Sequence, residues 1–476
     1  MVALAADEIE GRVVDAPHGA ASRPPSRAAA FAWALAQATR DPHVILIGIY
    51  IFAPYFVTRF VGDPVAGQTL VAEANKWGGW IVVATAPLLG ATIDRLGPRK
   101  PWLGAVIALL TGLTALLWFT PPDGSGLSIP QVVAIFTCFS VLIAFHDMLH
   151  NALLLPAAGV KGAAHASGLA LAGGNFVSVF MLIGVLIAFA LPGKLPWPWL
   201  PAAPLFGLDP ALGEPDRVVT LIVAAAMSVG AIPLFLVVPD VRASGRSFVA
   251  ALRAGAGDLR QLVAESRGNG NALVYLGARM IYTDGLTSIL IFGGLFAAGT
   301  MRWGTLEMLG YGIVLSIAAV AGGLLAAVAD TRLGPRRALI AEISLIAVAE
   351  TLFLGMDRTH IVFLAASPAP VWASPLFASL PELAFLGLGC FLAIGVTAAY
   401  ASSRTMLTRV APPDKLGVFF GLYALSGTAT LWLGPLLVEY ATRTGGSQAW
   451  GLAPIVGMLV VGLAGLFFVR GGGRLV

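Results

Sequence analysis

Twelve apolar runs, each long enough for a membrane-spanning helix, fill most of the 476-residue chain. A helix needs about 20 apolar residues to cross the roughly 30 Å hydrocarbon layer, where it satisfies its own backbone hydrogen bonds. Only 11% of the residues are charged, too few to cover a water-soluble globule of this size. Runs this long also exclude a transmembrane β-barrel, whose strands alternate over about 10 residues. The sequence therefore predicts an all-α, multi-pass membrane protein.

The longest connection between apolar runs, residues 239–270, contains five arginines and separates six predicted spans from six. The predicted transmembrane helices cover 31–60, 74–95, 101–119, 130–156, 167–191, 217–238, 271–298, 305–329, 336–355, 382–410, 416–441 and 450–470. The expected domains are a disordered cytoplasmic tail over 1–30, six-helix halves over 31–238 and 271–470, a cytoplasmic central loop over 239–270 and a cytoplasmic tail over 471–476.

A charged loop occurs twice, at positions separated by about half the chain. The sequence DRLGPR begins at Asp94, and TRLGPR begins at Thr331. The segment SGLALAGGN at 167–175 similarly matches FGLYALSGT at 420–428. Each half has an even number of spans, so the two copies run in the same direction across the membrane. The sequence therefore predicts twelve helices in two parallel-repeat halves.

Most of the 29 lysines and arginines fall in segments that share one side of the membrane if both termini are cytoplasmic. The positive-inside rule therefore predicts cytoplasmic termini, and we expect the bacterial inner (plasma) membrane. The cations lie in short loops without interleaved aromatic residues, so we do not expect a nucleic-acid partner. The expected partners are the lipid bilayer, a small-molecule solute and a proton or other cation, bound by a monomer without a cofactor.

The repeated loop resembles the signature between helices two and three of the major facilitator superfamily. That signature has Gly, three residues, Asp-Arg, Gly and a basic pair. The first copy has these residues at Gly90, Asp94, Arg95, Gly97, Arg99 and Lys100, and the second keeps Asp330, Gly334, Arg336 and Arg337. An acid at a helix end and cations on a tight turn can contact a neighbouring helix, and breaking such a contact suits a conformational change. The resemblance implies the major facilitator fold with two gating loops; charges that only set topology are the alternative.

Longer segments resemble the branch of that superfamily named for the yeast autophagy-related vacuolar effluxer, which has bacterial members. The segments are FAWALAQATRDPHVILIGIYIFAPYF, NALLLP, LVYLGARMIYTDGLTSILIFGGLFAAGT and SSRTMLTRVAPPDKLGVFFGLYALSGTATLWLGPLLV. The resemblance implies amino acids or related metabolites as solutes, and export as the direction. The chain departs from the branch at three charged positions, occupied here by Gln37, Val418 and Thr428. Asp41 lies one helical turn after Gln37, where it can replace the missing acid.

Ionisable residues inside spans cost roughly 2.5–3.5 kcal/mol each on insertion scales, so we expect each to face a cavity or a partner. Arg40 and Asp41 lie in the first span, and Arg279, Tyr282 and Asp284 in the seventh. These spans correspond in the two halves, so we expect Asp41 and Asp284 to face each other across a central cavity. Arg279 precedes Asp284 by five residues, a poor spacing for a helical pair, so its partner is expected on another helix. For Arg40 and Asp41 the alternative is a position at the membrane interface.

The fourth span contains FHDMLHNALLLP, in which His146 and His150 are one turn apart, as are Asp147 and Asn151. We expect these residues to line a solute or proton site; a polar contact between helices is the alternative. The pattern also resembles the zinc-protease motif His-Glu-x-x-His. An intramembrane metalloprotease using His146, Asp147 and His150 is therefore a remote alternative, but no third ligand is evident and we expect no metal.

Two further residues complete the predicted solute site. Arg404 corresponds by the repeat to Asn151, and it is expected to bind an anionic group of the solute or to pair with Asp147, unless it lies at the cytoplasmic interface. Asn175 ends the repeated segment of the fifth span and is included in the site.

The sequence has no Gly-rich loop ending in Gly-Lys-Ser/Thr to hold nucleotide phosphates, so an ion gradient is the expected energy source. The prediction is a secondary active transporter that moves a small polar solute by alternating access, and not an enzyme. A non-transporting scaffold or assembly factor with the same fold is the alternative, favoured by the three missing charges.

Overall fold

The computed structural model describes residues 24–194, 198, 200–373, 376–412 and 416–470. Most of the predicted tail 1–30 and all of 471–476 lie outside these residues. The helices of the first half are α1 (Arg27–Phe60), α2 (Pro64–Leu96), α3 (Lys100–Phe119), α4 (Ile129–Ala152), α5 (Leu154–Val185) and α6 (Glu214–Val237). They are followed by a central helix, α7 (Phe248–Ser266). The second half has α8 (Gly270–Met301), α9 (Thr305–Leu333), α10 (Pro335–Phe353), α11 (Leu380–Val410), α12 (Leu416–Thr428), α13 (Leu433–Gly445) and α14 (Gln448–Phe468).

The helices confirm the predicted fold class. Ten helical stretches among the described residues are long and apolar enough to cross a membrane, with α12 and α13 together forming one of them. Helices α2 and α10 are not among the ten, since both carry charged residues, but they occupy the second and ninth predicted spans. The arrangement therefore fits twelve spans in two six-helix halves.

Successive spans run in opposite directions, which defines two faces of the molecule. One face holds the turn at Gly97, the central helix α7 and the end of α14, and we call it the tail side. The other holds a short hairpin of strands β1 (His360–Ile361) and β2 (Leu364–Ala365), and we call it the hairpin side.

Three spans differ from the sequence prediction in ways that matter for the site. Helix α2 begins at Pro64, ten residues before the predicted start, because Asp63 caps it by accepting from the backbone N–H of Val65 at 2.8 Å. Lys76, two residues after the predicted start of the second span, consequently lies well inside α2 and is buried. Helix α5 begins at Leu154 and turns sharply at Gly159. The eleventh span, predicted as continuous, is broken between Thr428 and Leu433.

Both copies of the repeated loop turn on a glycine with a positive φ, 106° at Gly97 and 81° at Gly334. L-residues with side chains rarely adopt such values. The backbone also approaches closely at the first glycine, where a Cβ would lie 2.2 Å from the carbonyl oxygen of Arg242. Glycine at these positions therefore lets each loop reverse direction directly after the second helix of its half.

Candidate solute site and gates

A buried ionic cluster occupies the middle of α1, where it meets α4. The guanidinium of Arg40 lies 3.2 Å from Asp41 and also bonds directly to the carboxylate of Asp147. The side-chain amide of Gln37 donates to Asp41 at 2.7 Å. Arg40 is only 5% exposed and lies 13 residues into α1, so it is not at the end of the helix. The structure thus brings four predicted site residues together.

The two histidines of α4 extend this cluster. His150 donates from Nε2 to the carbonyl of Trp33 at 3.0 Å, and the Trp33 indole donates to the carbonyl of His150 at 2.7 Å. His146 lies between His150 and the cluster, with Nδ1 3.4 Å from the Asp147 carboxylate. No group of three metal-ligating side chains occurs in the described part of the chain. His150 therefore joins α1 to α4, whereas His146 contacts the Asp147 carboxylate of its own helix.

Part of the cluster is accessible to solvent. The Asp147 side chain is 45% exposed although its partner Arg40 is buried, and Asn151, one turn further along α4, is also exposed. Asn175 is half-buried and donates to Leu171 of its own helix at 3.2 Å. Arg404 is exposed, and Asp147 is paired with Arg40 rather than with Arg404.

In the second half, Arg279 of α8 is buried and bound to α12. It donates to the carbonyl of Tyr423 at 2.9 Å and to the hydroxyl of Ser426 at 2.6 Å. Its guanidinium carbon also lies 3.4 Å from the centre of the Tyr423 ring, a cation–π contact. The expectation of a partner on another helix is confirmed.

Three tyrosines, of which the sequence pattern indicates only Tyr282, surround Ser403 of α11. The hydroxyls of Tyr282, Tyr275 and Tyr423 lie 2.7, 3.0 and 3.2 Å from Ser403 Oγ. Tyr282 was predicted as a site residue, and it joins α8 to α11 here. Tyrosine and serine inside otherwise apolar spans are the sequence signal that could have identified the other members.

Asp284 lies beside the break in the eleventh span. Its Oδ2 accepts the backbone N–H of Gly434 at 2.8 Å, so the carboxylate caps the first turn of α13 from another helix. The backbones approach closely here, because a Cβ on Gly434 would lie 2.1 Å from Ser288 Oγ. Within the described residues, Asp284 Oδ1 and Ser288 Oγ are buried without a hydrogen-bond partner. Irregular backbone within a span is typical of places where transporters bind ions or solutes.

On the hairpin side the two halves are joined directly. Lys76 of α2 lies 2.5 Å from Glu439 of α13, and both side chains are about one-tenth exposed. About two helical turns before Lys76 in α2, and closer to the hairpin face, Gln68 donates to Thr442 at 2.9 Å and to the carbonyl of Gln448 at 3.2 Å. A further bond connects Thr305 of α9 with Asp216 of α6.

On the tail side the central helix lies between the halves. Arg95, at the end of α2, binds Asp258 of α7 through two hydrogen bonds of 2.7 and 2.5 Å. On its other side, α7 places Leu262 close to Gly421 of α12. Over the residues that the structure describes, no hydrogen bond or ion pair joins the two halves directly at this face.

The repeated loops bind the ends of helices in their own half. Asp94 pairs with Arg99 of the same loop at 2.7 Å. Lys100 Nζ donates to the carbonyl of Phe235 near the end of α6, and Arg336 donates to the carbonyl of Phe467 near the end of α14. Cations are favoured at helix C-termini, where carbonyls lack partners inside the helix.

Three predicted gating residues remain to be placed. Gly90 lies against Met148 of α4. Asp330 has one buried carboxylate oxygen without a partner among the described residues, and Arg337 is exposed.

This architecture, two six-helix halves with polar groups buried inside the spans, is that of the major facilitator fold. A point mutant of the nucleoside transporter NupG matches with a TM-score of 0.60 and 13% identity, over 93% of this chain and 98% of that chain. A D-xylose–proton symporter matches with a TM-score of 0.60 and 12% identity, over 94% of this chain and 98% of that one.

A third similar structure is an inward-facing, unoccupied bacterial homologue of the human lysosomal transporter Spinster. It matches with a TM-score of 0.60 and 14% identity, over 93% of this chain and 95% of that chain. At these identities the likeness shows the fold alone. No curated protein sequence matches the chain.

The sequence also identifies the family. Residues 213–471, more than half of the chain, match the family described as "Vacuole effluxer Atg22 like". The protein therefore belongs to the Atg22-like vacuole effluxer family, and it is an integral membrane transporter of the major facilitator type rather than an enzyme.

Proposed function

We propose that the protein moves a small polar solute across the membrane by alternating access between its two halves. The observation that carries the proposal is the unequal closure of the two faces. Direct bonds between the halves lie on the hairpin side, at Lys76 and Gln68, whereas Asp147 in the middle of the first half is exposed. This pattern supports a state whose solute site opens to the tail side.

The ionic cluster of α1 and α4 is the proposed solute site. Arg40 offers a cation and Asp147 an accessible carboxylate within direct contact of each other. A solute with a carboxylate and an ammonium group can replace both partners of this pair with charge-assisted hydrogen bonds of its own. Amino acids and related metabolites have this chemistry, which supports them as the solute class. We propose export as the direction.

We further propose that transport is coupled to a proton or another cation through Asp284, with Asp41 as the corresponding acid of the first half. The support is geometric: Asp284 has one carboxylate oxygen bound to Gly434 and one without a partner, beside a broken helix. A proton or cation bound there would change the bond that caps α13, and so the packing of α13 against α2.

The orientation and the gates are part of the same proposal. The basic loops and α7 would face the cytoplasm of a bacterial inner membrane, so the tail side would be the cytoplasmic side. The domain boundaries at 238/239 and 270/271 then delimit the two moving halves. The repeated loops would act as gates by holding α3 and α10 to the last helix of each half.

A thermal-shift screen of the purified protein over amino acids, short peptides, sugars and organic acids tests the solute class. Hits would then be tested by counterflow in proteoliposomes. An amino acid that both stabilises the protein and exchanges across the membrane supports the proposal. A compound that stabilises without exchange would instead favour a non-transporting scaffold, and sugars alone among the hits would contradict the zwitterionic site.

A further inference from the structure

A cavity lies between the two halves on the hairpin side, separate from the ionic cluster. It has a volume of about 620 Å³. Its walls come from the ends of α1 and α8 and from the first turns of α2, α6 and α9. Tyr50 and Trp303 are among its lining residues, and each lies against Tyr311, at ring-centroid distances of 6.2 and 5.2 Å.

The charges that line this cavity are unbalanced. Arg59, Lys194 and Arg302 are cations, and Asp216 is the acid among the lining residues. Asp216 is already engaged, since it accepts from Thr305 and lies 3.7 Å from Arg59. In the part of the chain that the structure describes, neither Lys194 nor Arg302 has a carboxylate within 4 Å, and Lys194 interacts with Asp216 at longer range.

The nearby acids outside the lining do not neutralise these cations. Asp63 accepts from backbone N–H groups at the start of α2, and Glu307 accepts from the N–H of Gly304 at 3.0 Å. Both carboxylates therefore satisfy helix termini. The lining therefore has an excess of positive charge, and a cleft lined by one sign of charge raises the local concentration of anions.

We propose that this cavity is an anion-binding vestibule for small organic or inorganic anions that carry a carboxylate or phosphate group. Arg302 and Lys194 are the two cations that would bind the anion, since Asp216 is bound by Thr305 and lies within ion-pair distance of Arg59. Its volume suits a small metabolite rather than a macromolecule. The vestibule is a site distinct from the proposed solute cluster, and anion binding there does not depend on transport. Only a role in binding solutes before they are transported rests on the proposed function.

Thiol labelling tests the vestibule without requiring transport. Both native cysteines of the full-length protein are first replaced, by Cys138→Ser and Cys390→Ser. One reporter cysteine is then added to give two variants, Thr58→Cys in the cavity wall and Ser367→Cys on the exposed hairpin side. Both variants are reconstituted in phosphatidylcholine nanodiscs. The rates of reaction with a sulfonate-bearing and a trimethylammonium-bearing methanethiosulfonate are then compared, with a neutral methanethiosulfonate as the measure of access.

We expect the ratio of anionic to cationic reagent rates to be at least about 10-fold higher at Thr58→Cys than at Ser367→Cys. Lys194→Gln with Arg302→Gln should remove this difference, and Arg358→Gln, an exposed cation of the same face outside the cavity, should leave it unchanged. Inorganic phosphate or succinate at millimolar concentration should slow labelling at Thr58→Cys by severalfold, whereas choline chloride at equal ionic strength should not.

Three results would overturn the proposal. One is equal ratios at the two reporters. Another is a preference for the anionic reagent without protection by phosphate or succinate, which would mean that anions are attracted but not bound. The third is a Thr58→Cys thiol that the neutral reagent cannot reach. None of these results depends on solute movement. The vestibule proposal can therefore be wrong while the proposed transport function is right, and the transport proposal can be wrong while the vestibule binds anions.

Discussion

Lys76 Nζ and Glu439 Oε2 lie 2.5 Å apart although 363 residues separate them in the chain, and this ion pair connects the second helix of one half to the eleventh span of the other. Removing one partner of a buried pair typically costs about 3–5 kcal/mol, because the remaining charge stays buried without compensation. The pair is therefore well placed to hold the hairpin side closed.

Exchanging the two charges of this pair should restore the closed hairpin side and the stability that a single substitution removes. We expect Glu439→Gln alone to increase labelling of thiols on the hairpin side of α2 and to lower the unfolding temperature. Lys76→Glu with Glu439→Lys should recover much of both effects. Arg443→Gln is the matched control, since Arg443 is exposed and 3.8 Å from Glu439. No recovery in the exchanged variant would argue against a direct pair.

Asp284→Asn should abolish pH-driven accumulation of solute and preserve solute exchange, because exchange moves no net proton. The asparagine carbonyl oxygen can still accept from Gly434, so the cap of α13 is kept. Asp284→Ala, which loses the cap, should in addition cost about 0.5–2 kcal/mol of stability. Proteoliposome uptake and exchange measure the first effect, and thermal unfolding measures the second.

Glu350→Gln, another buried carboxylate of the same half, is the control and should still accumulate solute. If the Asp284→Asn variant accumulates solute against its gradient, Asp284 is structural and the coupling hypothesis is wrong.

Asp147→Asn should weaken solute binding without loss of the fold. Arg40 keeps Asp41 as a partner at 3.2 Å, while the solute loses a charged acceptor. A hydrogen bond to a charged group contributes about 1.5–3 kcal/mol, so we expect affinity to fall by roughly 10-fold or more. Titration by thermal shift measures the effect. Glu342→Gln, whose carboxylate is bound by Ser402 at 2.9 Å, should bind solute normally; equal loss in both variants would point to a general disturbance.

Asp94→Asn should slow transport and leave solute affinity within a few-fold. Asp94 pairs with Arg99 inside the repeated loop at 2.7 Å, far along the chain from the ionic cluster. Turnover in proteoliposomes and affinity by thermal shift separate the two effects. Glu265→Gln, a change to another tail-side acid, serves as the comparison. Normal turnover with a large loss of affinity would contradict a gating role.

The sequence indicated the spans because long apolar runs have few alternatives in a bilayer, and it indicated the duplication because the repeated loop is highly charged. It placed Lys76 at the outer end of the second span, two residues after the predicted start, rather than inside the helix. Its burial depends on Glu439, a partner 363 residues away that local pattern cannot identify. The same limit applies to Arg40, whose pairing with Asp147 depends on how α1 packs against α4.

The break in the eleventh span had a partial signal. Gly434 and Pro435 lie directly after it, but many spans contain such residues without breaking. What fixes the break is contact with α8, where Asp284 accepts from Gly434 and Thr430 donates to the carbonyl of Met280 at 2.9 Å. The tyrosines around Ser403 depend on tertiary packing in the same way.

Distances between spin labels across the two halves test the alternating motion most directly. Labels at Ser125 and Ser367 report on the hairpin side, and labels at His165 and Arg409 report on the tail side, in the variant without native cysteines. The labelled protein without native cysteines is the reference. Adding Lys76→Gln and Glu439→Gln to it should produce a new population of molecules in which the label distance on the hairpin side is longer and that on the tail side is shorter. Unchanged distances on both sides, in this variant and with any solute that stabilises the protein, would contradict alternating access by the two halves.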